Sequence, residues 1–220
     1  MLQGMLCRLP VYSPILMLII MPRFYALSWN TPQSVDPAYR SHLREKYTKD
    51  LTLLHTALPG RFQPIIQKCI DFVDRILSLP MVLLHKDLGD CNIMVDGESC
   101  HLVGVIDWAE AEVCPFGLNL HSIQPLTGEM HLRNGWSRYD DYTELQNIFW
   151  STFQEEVGDL SDDTLQTIKQ ARIVGLLRSR GFTSRLANEP EPMPICDDQK
   201  GRYNMMYLDA FLINEATKFD

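Results

Sequence analysis

Asp87, Asn92 and Asp107 have the residue types and spacing to do phosphate chemistry. They stand in His85-Lys86-Asp87-Leu88-Gly89-Asp90-Cys91-Asn92-Ile93-Met94-Val95 and in Gly104-Val105-Ile106-Asp107-Trp108. Asn92 follows Asp87 by five residues, and Asp107 follows Asn92 by fifteen, after an apolar run. Enzymes that transfer phosphoryl groups use this spacing to hold one catalytic carboxylate and two magnesium ligands. Such transfer needs positioning, charge neutralisation and a group to receive a hydroxyl proton. Asp87 is the candidate for that last task. Asn92 offers a neutral oxygen to magnesium and Asp107 an anionic one, the hard ligands that ion prefers. His85 is the fourth candidate, suited to holding the loop by hydrogen bonds.

Residues like these must be aimed by rigid elements, and the chain contains suitable ones. Val82-Leu83-Leu84, Ile93-Met94-Val95 and Leu102-Val103-Gly104-Val105-Ile106 are short apolar runs read as strands. The last two form a hairpin around the turn sequence Asp96-Gly97-Glu98-Ser99. Asn92 and Asp107 then fall where strands meet loops, which exposes a side chain on a fixed base. Upstream, Asp36-Pro37 marks a helix start, and Tyr39, Leu43, Tyr47, Leu51 and Leu54 predict a long amphipathic helix to about Ala57. A second helix is expected from Arg61 to Leu79, stopped by Pro80. Beyond Asp107 the pattern reads as helical, with helices over Asp141–Val157, from a Ser161 cap to about Arg180, and over Tyr203–Ile213. Asn188–Pro194 is a proline-rich loop. The fold class is therefore α+β, mostly helical.

Here the motifs become specific. His85-Lys86-Asp87-Leu88 with Asn92-Ile93-Met94-Val95, followed by Val105-Ile106-Asp107-Trp108, resembles the catalytic and metal-binding motifs of the aminoglycoside phosphotransferase family, which has a protein-kinase-like fold. Pro115-Phe116-Gly117-Leu118-Asn119-Leu120 and Ala26-Leu27-Ser28-Trp29-Asn30 resemble its fungal members. The resemblance covers about residues 24–215. It implies ATP-dependent phosphorylation of a small-molecule hydroxyl, with Asp87 as base and Asn92 and Asp107 holding Mg2+ against ATP. Residues 24–220 would form a kinase-like C-lobe whose short hairpin carries the catalytic and metal-binding loops. Lys86 stands where the antibiotic kinases usually have glycine, and Asp90 where proline is frequent. No Gly-x-Gly-x-x-Gly and no lysine within an apolar strand precedes residue 36, so the nucleotide-gripping lobe is expected to come from a missing segment or a partner chain. The alternative is a catalytically inactive kinase-like remnant or binding module.

Composition narrows the remaining classes. A net charge of −8 and the lack of a long Lys/Arg cluster argue against nucleic acid as a partner. The six cysteines include no Cys-x-x-Cys pair, which suits a reduced, cytoplasmic chain. A zinc site from Cys91, Cys100, His101 and Cys114 matches no usual ligand spacing. A metal hydrolase using His85, Asp87, His101 and Asp107 needs two histidines and two carboxylates to converge. Residues 1–23 form an apolar segment whose run from Ile15 to Met21 is shorter than the roughly 20 residues a stable membrane span requires. It reads either as a signal peptide ending near Ala26-Leu27-Ser28 or as a segment packed on the core.

The surface residues carry two readings each. Glu110 and Glu112 read as a solvated loop or as ligands for a cationic substrate or the magnesium shell. Asp140, Asp141, Glu144, Glu155 and Glu156 read as a wet helix face or an attractor of polyamines. Trp136, Tyr139, Tyr142, Phe149, Trp150 and Phe153 read as core or as an acceptor pocket. Trp108 is expected to anchor the metal loop by packing.

Overall fold

The computed structural model describes residues 14–96, 102–158, 160–183 and 192–219. Seven helices and three two-stranded antiparallel sheets are found among them. Helix α1 (Pro14–Asn30) contains Pro22 and lies against α5 (Tyr142–Val157). Met21, Tyr25 and Ala26 of α1 are buried in the core. The Ala26-Leu27-Ser28 stretch is thus part of a helix that packs on the core. Among the described residues, no helix is long and apolar enough to cross a membrane.

Helix α2 (Pro37–Ala57) begins as its sequence dictates. The Asp36 carboxylate accepts from the Ala38 N–H at 2.7 Å, and proline occupies the first turn, where no N–H is needed. Leu43, Tyr47, Leu51 and Leu54 recur every three or four residues and are all buried. The segment expected as one helix from Arg61 to Leu79 is instead in three pieces. Gly60–Phe62 is a 3-10 turn, followed by α3 (Gln63–Asp71) and α4 (Val73–Ser78). Pro64 cannot donate an N–H, so it starts a helix better than it continues one. At Phe72 the N–H is shared between the Lys68 and Cys69 carbonyls, which tightens the last turn. The apolar stripe survives the breaks, since Ile66, Cys69, Val73, Ile76 and Leu77 are all buried.

Strand β1 (Met81–Leu84) pairs with β4 (Glu112–Pro115), and β2 (Ile93–Val95) with β3 (Leu102–Val105). The second pair is the expected hairpin; its turn at residues 97–101 lies outside the described residues. The expectation that everything beyond Asp107 is helical fails at three strands. Strand β4 is too short to show a period and is recognisable only through β1, nearly thirty residues upstream in sequence. Strands β5 (Gly128–His131) and β6 (Gly135–Arg138) form a tight hairpin that Asn134-Gly135 announces, with Gly135 at φ 80°. Helices α6 (Asp162–Arg180), capped by Ser161 through Thr164 N–H, and α7 (Arg202–Leu212) close the fold.

The core centres on aromatic rings. Phe116 stacks on Phe153 of α5 at 5.4 Å between centroids, and Trp29 of α1 meets Phe116 edge-on at 5.0 Å. Residues 114–120 are buried throughout. Helix α6 reaches this segment because Gly175 has no side chain: a Cβ there would sit 1.6 Å from the Leu118 carbonyl oxygen. Gly175→Ala is therefore expected to cost more than about 2 kcal/mol in a denaturant titration. Gly60→Ala, with open space around its Cβ, should change stability by less than about 1 kcal/mol. Equal effects of the two would show that α6 does not pack as described.

Candidate active site

The site grows from the ends of β1, β2 and β3. His85 follows β1 directly and is 2% exposed. Its Nε2 lies 2.8 Å from the Ile106 carbonyl oxygen, which can only accept, so Nε2 carries the proton. Its Nδ1 is buried without a hydrogen-bond partner, and its ring meets Trp108 edge-on at 5.0 Å. The Asn119 amide donates to the His85 carbonyl at 3.4 Å. The Ile106, Trp108 and Asn119 contacts hold the histidine in place.

Asn92 ends a short 3-10 turn (Asp90–Asn92) just before β2 and is 8% exposed. Its side-chain nitrogen donates to the Asp87 carbonyl at 2.8 Å and lies 3.4 Å from the Asp87 carboxylate. The nitrogen is spent on Asp87, which leaves the amide oxygen as the atom a metal would take. The Asn92 carbonyl accepts from the Ile106 N–H at 2.9 Å, extending the β2–β3 ladder by one pair. Asp87 itself is exposed.

Asp107 follows β3 at φ 61° and ψ 59°, in the left-handed region. It is the one non-glycine residue with positive φ among those described. Aspartate tolerates this region better than most side chains. The turn it makes leaves its carboxylate exposed and sends Trp108 back, where the indole N–H donates to the Val105 carbonyl at 2.8 Å. Trp108 is a partial anchor only: it also faces Phe24 but keeps 38% of its surface exposed. Met94 and Ile106, 47% and 46% exposed, share one face of the hairpin because Met94 pairs with Gly104 and Ile106 lies two residues on.

Among the described residues no three His, Cys, Asp or Glu side chains converge on a metal. The hydrolase reading finds no such convergence among the described residues, and His101 lies outside them. The zinc reading has Cys114 buried in β4, with Cys100 and His101 again outside them. Asn92 directly precedes β2 and Asp107 lies two residues beyond its partner strand β3, the one with a neutral side-chain oxygen and the other with an exposed carboxylate.

Sequence reasoning missed the cleft beside Asp87. It measures about 120 Å³ and is lined by Lys86, Asp87, His121, Ser179, Arg180 and Tyr207 among others. These residues come from the Asp87 loop, the 3-10 helix Leu120–Leu126, the end of α6 and α7, so no motif unites them. A larger hollow of about 460 Å³ around Asp197, Arg202 and Asp209 shares no residue with the Asp87 loop. The aromatic residues weighed as an acceptor pocket are elsewhere, with Trp136, Phe149 and Phe153 in the core. Asp140, Glu144 and Glu155 lie exposed outside the cleft, and Glu156 pairs with Arg23 at 3.1 Å.

Glu112 is not a loose loop residue. It begins β4, pairs with Lys86 of the Asp87 loop and lies 3.6 Å from Lys46 of α2. Burial opposes its charge, but Lys86, Lys46 and Arg178 prevail and hold its pKa below the ordinary 4.5. A depressed carboxylate stabilises the fold fully above pH 4.5 and loses that contribution as pH falls through its lower folded value. Both partners are partly solvated, so the pair contributes less than about 1 kcal/mol. Glu112→Gln should flatten the acid limb of a stability–pH curve and cost little. A double-mutant cycle with Lys86→Met should show positive coupling, and zero coupling would remove the pair from this account.

A crystal structure of an aminoglycoside-3'-phosphotransferase of type VIII matches with a TM-score of 0.45 and 12% identity, over 76% of this chain and 62% of that one. The chain thus spans less than two thirds of the length of that protein. No curated protein matches. The model of the phosphotransferase enzyme family matches residues 20–130, just over half of the 220 residues and all four candidate side chains. The chain belongs to the phosphotransferase enzyme family.

Proposed function

We propose that this protein transfers the γ-phosphoryl group of ATP to a hydroxyl of a small molecule. The observation that carries the reading is the direct link between Asn92 and Asp87, held beside Asp107 by the Ile106 peptide. In the step, the acceptor oxygen bonds to the γ-phosphorus while the bond from that phosphorus to the bridging oxygen breaks. The hydroxyl proton passes to the Asp87 carboxylate, and ADP leaves. Asn92 keeps Asp87 turned toward the acceptor. Asn92 and Asp107 would hold magnesium, which when bound neutralises charge on the phosphates. The exposed apolar face of Met94 and Ile106 gives a flat base a place to rest. His85 positions the loop and does not touch the reacting atoms.

Family membership supports the reaction class, and the donor set supports the metal. The rest of the nucleotide grip would come from a further lobe or a partner chain. The alternative is a catalytically inactive remnant or binding module. We place the protein in the cytoplasm, with ATP and reduced thiols.

Calorimetry with ATP separates the two readings. Binding that needs magnesium and disappears in Asp107→Ala is expected for the transferase. Asp87→Asn should retain that binding and slow transfer about a hundredfold or more, the usual contribution of a positioned base. Absence of binding at millimolar ATP would leave the binding-module reading for this chain.

A further inference from the structure

The charges around Asp87 carry information about the acceptor. Lys86 lines the cleft, but its ammonium pairs with Glu112. Arg180 lines it too and differs in kind. Its guanidinium lies 4.5 Å from the Tyr207 ring centroid, and Nη1 donates to the Asn204 amide oxygen at 3.4 Å. Its Nε is buried without a partner, and among the described residues no carboxylate lies within ion-pair distance of it. Burying a guanidinium donor without an acceptor is unfavourable, and arginine presents a planar fork that matches a carboxylate. The ring of Tyr207 and the end of α6 hold that fork in place, with the helix C-terminus favouring the cation.

Among the described residues that line the cleft, Asp87 alone carries a negative charge. His121 is pushed down to about 3 by desolvation and by Arg180, so it remains neutral at physiological pH. Ser179 supplies a hydroxyl. A cationic acceptor would face Arg180 with no acidic residue besides the one meant to receive a proton. The space of about 120 Å³ suits a few carbons.

We propose that the Asp87 cleft takes a small hydroxy acid, with its carboxylate on Arg180 and its hydroxyl turned to Asp87. Arg180 is then the specificity-determining residue. The identity of Asp87 as the proton acceptor rests on the phosphotransfer reading; the preference of the cleft for an anion does not. Acceptor binding can be measured without nucleotide, so failure of one is distinguishable from failure of the other.

The test titrates the full chain with glycerate, glycerol and ethanolamine, each followed by calorimetry and by the resonances of the Tyr207 ring. Glycerate should bind most tightly. Arg180→Gln should weaken it at least about tenfold, as loss of a charged hydrogen bond does, while thermal unfolding stays cooperative. Arg180→Lys should recover part of the loss. Asp87→Asn should leave the dependence of glycerate binding on Arg180 in place while slowing transfer about a hundredfold or more, which separates the anion site from the chemistry. Ethanolamine binding as tightly as glycerate, no glycerate binding at millimolar concentration, or unchanged affinity in a folded Arg180→Gln would each overturn the proposal.

Discussion

The peptide unit of Ile106 is held from both sides, and the geometry of the site follows from that. Its N–H donates to the Asn92 carbonyl and its C=O accepts from His85. The two residues that grip it belong to the loop bearing Asp87, and the residue after it is Asp107. The two segments are thereby fixed within one hydrogen-bonded frame. Asp107 bears the consequence: with Ile106 tied down and Trp108 bonded back to Val105, its backbone adopts the left-handed region. A non-glycine residue pays roughly 1 kcal/mol for that conformation, and the frame supplies the bonds that hold it there.

The frame is anchored to the core through a second chain of contacts. Tyr25 of α1 donates to the Asn119 carbonyl at 3.3 Å, and the Asn119 side chain donates to the His85 carbonyl. Asn119 lies in the segment whose Phe116 packs between Trp29 and Phe153. Helix α6 approaches closely enough to seal this segment only because position 175 lacks a side chain. Burial on this scale resists small displacements, since packed interiors transmit strain without absorbing it. The exposed carboxylates thus rest on an immobile floor, the arrangement that positioning chemistry demands.

Much of this was legible in the sequence, for identifiable reasons. Asp36-Pro37 specifies a helix start by local capping chemistry, and the helix begins there. The Asp87, Asn92 and Asp107 spacing is compatible with one hairpin and two strand ends, and the hairpin is present. The two segments quoted with Trp29 and Phe116, nearly ninety residues apart, meet ring to ring. What escaped was non-local or short. Strand β4 exists through β1 and has no period of its own. The β5–β6 hairpin did have a signal, Asn134-Gly135, which the helical pattern around it obscured. The breaks in 60–79 leave the apolar stripe intact, so periodicity alone is blind to them. The cleft of His121, Arg180 and Tyr207 has no sequence signature because three elements contribute to it.

Lys86 shows why a departure from a motif must be read with its surroundings. In the sequence it looks like added positive charge beside the candidate base. In the fold the added charge is matched by Glu112 across the β1–β4 pair, and Glu112 is in turn held ionised by Lys46 and Arg178. Arg178 also pairs with Asp50 at 2.9 Å and lies over the ring of Tyr47. The substitution is therefore absorbed into a network spanning α2, β4 and α6, and its net effect on the cleft is small. Arg180, two residues along the same helix, belongs to no such network among the described residues. One cation of the cleft is neutralised by the protein and the other is left for something else to meet, so charge in this cleft reports on the ligand only after the internal pairs have been removed.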